Sequence, residues 1–282
     1  MRFALATCEN PLERDVDADF LVPALSRAGA EAGTPAWSDA AADWGSFDVV
    51  IPNSTWDYHE REQEFRAWLR SVDAATRLRN PLALIEWNLD KRYLRELESA
   101  GVPIIPTVWS EPGGEADASA EIAARGWPEL IIKPVVDLGA RNLVRVAPAA
   151  AADMLGRYRT ATMTQPYLPS VAAEGELSLV YLAGELSHSL RKLPARGDFR
   201  IQPEYGGVHE PADASPEARS VAERALAAAG AEGALYARVD LVALDDGSPA
   251  LIELELIEPA LYLDVDPSSA ERLARALLAA AA

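Results

Sequence analysis

The amino-acid sequence predicts a mixed fold, an α/β layer followed by an α+β region, and three observations support this prediction. About the first 80 residues alternate strand-like and helix-like segments, which is typical of a small parallel sheet covered by helices. Beyond residue 87 the alternation stops, and paired strands with short turns take over. The 282 residues are 49% hydrophobic and 25% charged, an ordinary globular composition for one large domain or two to three small ones.

The N-terminal alternation consists of two strands and two helices. Residues 2–8 and 48–54 are apolar runs of strand length, and residues 17–30 predict a helix that ends at Gly29. A second helix is predicted over residues 60–72, where apolar side chains recur at i, i+3, i+4 and i+7. These side chains are Phe65, Trp68, Leu69 and Val72.

The middle of the chain predicts helices and strands in a different order. A helix is expected from near Asn88 to Gly101, where glycine is a common stop signal. Residues 127–136 and 141–147 predict two strands joined by the loop "DLGA". A helix over residues 149–158 follows them.

The C-terminal part predicts a sheet and two helices. After "TMTQPYLPS" a loop of glycine, alanine and glutamate is expected, and then strands over 177–182 and 186–192. A helix over 215–230 has Ser215 as its N-cap and Pro216 at its first position. A hairpin and a terminal helix complete the chain.

The hairpin carries an unusual set of charges. The dipeptide "DG" at 246–247 is typical of a two-residue type I′ turn. A hairpin centred there pairs Asp240 with Glu253 and Arg238 with Glu255, and all four side chains then project from one face. The opposite face, toward a core, takes Val239, Leu241, Leu254 and Leu256.

Three carboxylates on one face with a single arginine indicate either a metal site or a solvated surface. Clustered carboxylates repel one another, and a hard divalent cation would relieve that repulsion. Ligation by oxygen alone favours Mg²⁺ or Mn²⁺ over zinc. The alternative is a charged, solvated face of an edge hairpin, and Pro249 weakens the register argument.

The lysines supply a second observation. Of 26 basic residues only three are lysine, Lys91, Lys133 and Lys192. Lys91 is placed in the first turn of a predicted helix, and the other two are placed at strand ends. Lysine is a compact point charge suited to phosphate oxygens, although three scattered lysines could also survive by chance. Together with the carboxylates they favour a bound nucleoside triphosphate, without a Walker A or GxGxxG loop.

Charge and composition exclude several classes of protein. The net charge is −18 and no basic run is present, which argues against binding to nucleic acid or to an anionic membrane. The single cysteine, Cys8, predicts a reducing compartment. No segment has the pattern of a signal peptide or a membrane span. These features predict a cytoplasmic protein.

The order of five segments resembles the motifs of the ATP-grasp ligases, which include D-alanine-D-alanine ligase and glutathione synthetase. The segments are "WNLDKRYLRELESAGVPIIPT", "LIIKP", "TQPYL", "ARVDLV" and "LIELE". The resemblance covers roughly residues 85 to 260, and within the family the chain resembles short natural-product enzymes such as the O-ureidoserine cyclo-ligase of cycloserine biosynthesis. It implies an ATP-grasp fold with an N-terminal Rossmann-like layer (residues 1–87), a small lid subdomain (88–166) and a C-terminal subdomain (167–282).

The resemblance also implies roles for individual residues. Lys91 and Lys133 would contact the phosphates of the nucleotide. Adenine would be contacted by Gln165, Tyr167 and Leu168. Glu176 would bind the ribose, although Glu174 is close enough in the sequence to do so instead. Mg²⁺ (or Mn²⁺) would be held by Asp240, Glu253 and Glu255. Catalytic contacts fall on Arg238, Lys192 and Arg200.

Some segments depart from the family pattern. Glu255 stands where asparagine is common, which adds a charge and keeps an oxygen ligand. The loop "DLGA" has one glycine, so its role as a lid over phosphates is in doubt. Asp57 and Tyr58 could line a substrate site, but a turn at a strand end with aromatic packing is the favoured interpretation.

The function implied is that of an ATP-dependent, ADP-forming ligase. It would activate a carboxylate as an acyl phosphate for attack by an amine, in two small molecules or within one. The alternatives are an ATP-binding regulatory protein without ligase activity and a small-molecule kinase. The expected partners are a carboxylate and an amine substrate, without nucleic acid or membrane, and a homodimer is the family's habit.

Overall fold

The computed structural model describes residues 1–9 and 15–281, and three β-sheets organise them. The first is parallel, with strand order β2-β1-β3-β4. Its strands are β1 (Arg2–Thr7), β2 (Glu31–Gly33), β3 (Val49–Ser54) and β4 (Arg77–Leu78). The helices of this layer are α1 (Val16–Arg27) and α2 (Glu62–Ala75). The predicted alternation of strands and helices is therefore present.

Both faces of the first sheet are buried. Successive residues of β1 enter different cores, because side chains alternate along a strand. Phe3 packs with α1 in one core, whereas Ala4 packs with α2 in the other. Parallel sheets are covered on both faces in this way, so their strands are continuously apolar.

The second sheet is antiparallel and has the order β5-β8-β6-β7. Its strands are β5 (Val108–Ser110), β6 (Leu130–Pro134), β7 (Val144–Val146) and β8 (Thr162–Pro166). Its helices are α5 (Glu115–Arg125) and α6 (Ala151–Leu155). The sequence pattern did not predict β5, β8 and α5. Strand β8 is hard to recognise because Thr162, Thr164 and Gln165 are polar and yet buried.

The third sheet is antiparallel and has the order β11-β10-β9-β12-β13. Its strands are β9 (Glu176–Leu182), β10 (Glu185–Leu193), β11 (Val208–Pro211), β12 (Tyr236–Ala243) and β13 (Pro249–Glu255). The last long helices are α8 (Pro216–Ala228) and α9 (Ser268–Ala281). The predicted N-cap is confirmed, because Ala218 N donates to Ser215 Oγ at 3.1 Å.

The helix predicted from near Asn88 to Gly101 is wrong at its start. Two short helices occupy this region, α3 (Leu82–Asn88) and α4 (Tyr93–Ser99), so Lys91 lies in the turn between them. Tertiary hydrogen bonds hold the break: Asn88 Nδ2 donates to Leu254 O at 2.8 Å, and Leu256 N donates to Asn88 Oδ1 at 2.9 Å. Residues far away in the sequence therefore decide where α3 ends.

Two further expectations need correction. The loop expected after "TMTQPYLPS" begins with a one-turn helix, α7 (Pro169–Glu174), which has proline at its first position. The helix expected over 149–158 is limited to α6, because a 3₁₀ turn precedes it and Gly156 ends it.

The β12–β13 hairpin has the predicted strand pairing near its charged end, but its turn differs from the predicted one. Leu244 N donates to Ser248 O at 2.9 Å, so three residues form the turn and the two-residue type I′ turn is wrong. The Asp246 carboxylate stabilises this longer turn by accepting from Ser248 N at 2.9 Å. A bulge at Ile252 then shifts the register by one residue. As a result Asp240 still pairs with Glu253, and Arg238 with Glu255.

Within the described residues, none of the helices is both long enough and apolar enough to cross a membrane.

Candidate active site

A cavity of about 590 Å³ lies between the three sheets, within the usual size range of ligand sites. Its lining comes from every layer of the molecule. Trp56 and Tyr58 follow β3, Lys133 lies near the end of β6, and Lys192 lies near the end of β10. The charged face of the β12–β13 hairpin forms one wall.

Eight of the thirteen predicted site residues line this cavity. They are Lys91, Lys133, Glu176, Lys192, Arg238, Asp240, Glu253 and Glu255. The solvated-surface interpretation of the hairpin is wrong, because Arg238 is 7% exposed and Asp240 is 2% exposed.

Asp240 is the centre of a buried ion-pair network. Lys192 Nζ lies 2.8 Å from Asp240 Oδ2, and Arg238 Nη2 lies 3.0 Å from the same oxygen. Ser178 Oγ donates to Asp240 Oδ1 at 2.5 Å. Burial alone would raise the pKa of Asp240, but the charges of Arg238 and Lys192 outweigh it and hold that pKa below its usual range.

Lys192 links this network to a second carboxylate. Its Nζ atom lies 3.3 Å from Glu176 Oε2. Burial raises the pKa of Glu176 despite the opposing charge of Lys192. Glu176, which the resemblance assigns to the ribose, is therefore already held in place by a lysine.

The other two hairpin carboxylates have different partners. Lys91 Nζ lies 3.0 Å from Glu253 Oε1 and donates to Asp137 O at 2.6 Å. Burial acts to raise the pKa of Glu253, but Lys91 and Lys133 lower it further than burial raises it. Glu255 forms an ion pair with Arg238, and burial raises its pKa to about 7.

Lys133 differs from the other two lysines. It is 8% exposed, and its ammonium group has neither a hydrogen bond nor an ion pair with any residue that the structure describes. Burial lowers its pKa. A buried cation without a bonded partner, at the wall of a cavity, is suited to an anionic ligand such as a phosphate.

The hairpin carboxylates have the donor chemistry of a magnesium site. Asp240, Glu253 and Glu255 face one cavity and offer oxygen ligands alone, as Mg²⁺ and Mn²⁺ prefer. Within residues 1–9 and 15–281, no group of three or more His, Cys, Asp or Glu side chains is gathered as a metal site. Lysine and arginine side chains neutralise these three carboxylates instead. The carboxylates therefore have the right chemistry for the ion, but in this structure they are paired with cations of the protein.

Three predicted adenine-hinge residues lie outside the cavity lining. Gln165 Nε2 donates to Thr107 Oγ1 at 3.0 Å. The Tyr167 ring lies 3.6 Å from the guanidinium carbon of Arg145, and Leu168 belongs to a small apolar cluster. Their predicted contacts with adenine stay predictions.

Glu174 and Arg200 also lie outside the lining. Glu174 is exposed at the end of α7. Arg200 Nη2 lies 2.8 Å from Asp198 Oδ2, and its guanidinium carbon lies 3.6 Å from the Tyr205 ring centre. The structure therefore does not bring either of them to the other eight residues.

The structure adds cavity residues that the sequence analysis missed. Glu258 is 7% exposed and lies three residues beyond Glu255, so it could have been found by searching for charged residues just past the end of the hairpin. Asp17 accepts hydrogen bonds from Leu261 N at 2.5 Å and Leu263 N at 2.8 Å, and burial raises its pKa to about 6. Its partners are so distant in sequence that no pattern signals it.

The segment after β3 was interpreted either as part of a substrate site or as a turn with aromatic packing, and the structure shows features of both. Tyr58 stacks on Phe65 with ring centres 4.7 Å apart, and it also lines the cavity. Asp57 accepts from Trp37 Nε1 at 2.6 Å and from Arg61 Nη2 at 2.8 Å. Asp57 is therefore a structural residue, whereas Tyr58 combines packing with a place at the cavity wall.

Comparison with known proteins places these features in a family. The model of the D-cycloserine synthetase DcsG N-terminal domain matches residues 3–80, and that of the prokaryotic glutathione synthetase ATP-grasp domain matches residues 117–267. The cycloserine biosynthesis protein DcsG of Streptomyces lavendulae is 36% identical over 296 residues, with 97% of each chain covered.

Solved structures agree with this placement. The crystal structure of D-cycloserine synthetase DcsG has a TM-score of 0.90 at 33% identity and covers 100% of both chains. D-alanine–D-alanine ligase from Bacillus anthracis has a TM-score of 0.71 at 14% identity, covering 100% of this chain and 97% of the other, which shows a shared fold alone. The fold and the ligase activity expected from the sequence are confirmed. The chain therefore belongs to the ATP-grasp ligases, ATP-dependent enzymes that join a carboxylate to an amine, and its N-terminal layer is of the D-cycloserine synthetase type.

Proposed function

We propose that this ligase closes a ring within a small amino-acid derivative of the O-ureidoserine type. The observation that carries the proposal is the 36% identity to the cycloserine biosynthesis protein DcsG along 97% of both chains. The agreement includes the N-terminal layer, which contributes Tyr58 and Trp56 to the cavity wall. The cavity of about 590 Å³ suits a nucleotide and a small molecule.

The proposed reaction has two steps. The γ-phosphoryl group of ATP is transferred to a carboxylate oxygen of the substrate, which gives an acyl phosphate and ADP. A nitrogen of the same molecule then attacks the carbonyl carbon, and the ring closes as phosphate leaves. The charged side chains at the cavity wall bind and orient the reactants, because phosphoryl transfer depends mainly on positioning and charge stabilisation.

We assign the phosphates of ATP to Lys133 and Lys91, because both ammonium groups line the cavity. Arg238 is placed to donate hydrogen bonds to the acyl-phosphate oxygens, since its guanidinium is fixed by Asp240 and by Ala260 O at 2.9 Å. Asp240, Glu253 and Glu255 would hold Mg²⁺, which when bound neutralises charge on the phosphates. Contacts with the ion would then replace those of Lys91 with Glu253 and of Lys192 with Asp240.

Other expectations stay predictions. These are the adenine and ribose contacts, the role of Arg200, the domain boundaries at residues 87 and 166, a homodimer and a cytoplasmic location. The roles proposed for individual residues are therefore limited to the residues that line the cavity.

The test is ADP release from ATP and Mg²⁺ with O-ureidoserine, followed by mass spectrometry. The two steps give a ring that still carries the carbamoyl group, and hydrolysis of that group, which leaves as carbon dioxide and ammonia, gives D-cycloserine; both species are measured. We expect ADP and the cyclic product in equal amounts, without any added amine. ADP release that requires a separate amine would support ligation between two molecules instead. No ADP release with O-ureidoserine would overturn the proposed substrate.

A further inference from the structure

One buried carboxylate in the cavity has no bonded partner among the residues that the structure describes. Glu258 lies just beyond β13, lines the cavity and is 7% exposed. Its Oε2 atom is buried without a hydrogen bond, and its side chain has no ion pair in the part of the chain that the structure describes. A buried carboxylate without a donor is unfavourable, so a residue kept in this state points to a ligand.

Apart from Glu204, which is exposed to solvent, the other cavity carboxylates each have a donor. Asp240 and Glu176 contact Lys192, Glu253 contacts Lys91, and Glu255 contacts Arg238. The remaining aspartates that line the cavity have backbone or side-chain partners as well: Asp15 with Ala18 N, Asp17 with Leu261 N, Asp137 with Asn142 Nδ2 and Asp264 with His209 Nε2. Lys91 and Arg238, the two cations whose charges act on Glu258, are thus committed to other groups.

The surroundings of Glu258 suit a compact organic cation. Trp56 Nε1 donates to the backbone oxygen of Glu258 at 3.1 Å, which fixes the position of the residue. Tyr58, a buried aromatic residue of the N-terminal layer, lines the same cavity. A cavity lined by both a carboxylate and aromatic rings is a common setting for an ammonium group, which gains from both the charge and the ring faces.

We propose that Glu258 binds a primary ammonium group of the substrate. This inference rests on the proposed function, since it concerns the small molecule that the ligase activates. The positive charge of the ammonium would favour the ionised form of Glu258, which would accept its hydrogen bonds and so place the substrate between the N-terminal layer and the nucleotide. Glu258 is in this view a specificity-determining residue, and the substrate is an amino acid with a free amino group.

A binding experiment tests the proposal without requiring turnover. Calorimetry would measure the dissociation constants of O-ureidoserine and D-cycloserine, each against its N-acetyl and N-methyl derivatives, with Mg²⁺ and a non-hydrolysable ATP analogue. The N-acetyl group removes the charge, whereas the N-methyl group keeps the charge and adds bulk. We expect at least tenfold weaker binding after N-acetylation, and much less loss after N-methylation.

The variants Glu258→Gln and Glu204→Gln complete the test. Glu258→Gln should remove most of the preference for the charged amine and leave binding of the ATP analogue unchanged. Glu204 also lines the cavity but is exposed to solvent, so Glu204→Gln should keep the preference. An unchanged preference in Glu258→Gln, or none in the wild type with either probe, overturns the ammonium site.

The outcomes separate this inference from the proposed function. ADP release with O-ureidoserine together with an unchanged amine preference in Glu258→Gln would leave the proposed function standing and refute the role of Glu258. An amine preference that depends on Glu258, without ADP release, would refute the proposed turnover and support the ammonium site.

Discussion

At the scale of single residues, the three lysines have unequal electrostatic roles. Lys192 is buried between Asp240 and Glu176, whereas Lys133 is buried without any bonded partner in the described chain. Removing one member of a buried ion pair leaves an uncompensated charge. Removing a buried charge that has no bonded partner leaves no ion-pair partner uncompensated. The same substitution should therefore destabilise the protein much more at Lys192 than at Lys133.

We predict that Lys133→Met changes the free energy of unfolding by less than about 1.5 kcal/mol, as for a volume-conserving swap. Binding of ATP should weaken about 10- to 100-fold, because a charge-assisted hydrogen bond to phosphate is lost. The matched variant Lys192→Met should lower stability by about 3 to 5 kcal/mol. Urea unfolding and calorimetry with ATP measure the two effects, and equal destabilisation by both variants would contradict this assignment.

Glu258 predicts a dependence of stability on pH. Burial raises its pKa well above the usual value, so the folded state binds a proton more tightly than the unfolded state. The stability that this proton provides is complete at low pH and is lost as pH rises above the unfolded pKa toward the folded one. Glu258→Gln cannot ionise, and its stability relative to the wild type should therefore increase between pH 5 and pH 8.

The measurement is denaturant unfolding of both proteins at several pH values. The other carboxylates with raised pKa values are present in both proteins and largely cancel in the difference; they are Asp15, Asp17, Glu176 and Glu255. Parallel stability curves for wild type and Glu258→Gln would show that Glu258 has an ordinary pKa.

At the scale of elements, the β12–β13 hairpin shows how a correct pairing can arise from an incorrect local model. The turn is one residue longer than "DG" alone predicts, and the bulge at Ile252 compensates for that residue. The pattern of apolar residues on the core face fixes the pairing of the charged residues, because a slip by one residue would expose that face. The predicted core residues Val239, Leu241, Leu254 and Leu256 are all buried.

The turn provides a prediction at the same scale. Gly247 has φ +81 and no atom within 4 Å of an added Cβ, so Gly247→Ala should cost about 1 kcal/mol through backbone strain alone. Gly233 has equally open surroundings without a positive φ, and Gly233→Ala should not destabilise the protein. Thermal unfolding compares them, and ADP release should be unchanged in both. Equal stability of the two variants would disprove the strain.

At the scale of the whole molecule, the N-terminal layer and the third sheet share one core. Phe3 of β1 and Leu21 of α1 pack in the same cluster as Val180 of β9 and Leu273 of α9. Asp17 adds hydrogen bonds to the segment that follows β13. The cavity wall is therefore built from parts that depend on one another for burial.

This shared core predicts cooperative unfolding of the first and third sheets. Heating should unfold them in one calorimetric transition whose van't Hoff enthalpy equals the calorimetric enthalpy. Tryptophan fluorescence should follow the same curve, because Trp37 and Trp68 lie in the N-terminal layer. An early, separate transition of the N-terminal layer would show that it folds independently.

The sequence by itself determined the fold class, the family and most of the charged wall. Alternating apolar residues identified the hairpin faces, and the rarity of lysine identified Lys91, Lys133 and Lys192, all of which line the cavity. These signals are local or compositional, and they can be read without knowing which elements meet.

Only the tertiary structure decided which charges are paired. Lys91 and Glu253 are far apart in the sequence but lie 3.0 Å apart, and Asp17 reaches Leu261 across almost the whole chain. The break between α3 and α4 depends on the hydrogen bonds of Asn88 to β13. Ion pairing and burial depend on distance in space, which a single sequence does not contain. Only the folded molecule therefore showed that Lys133 and Glu258 have no bonded partner among the described residues.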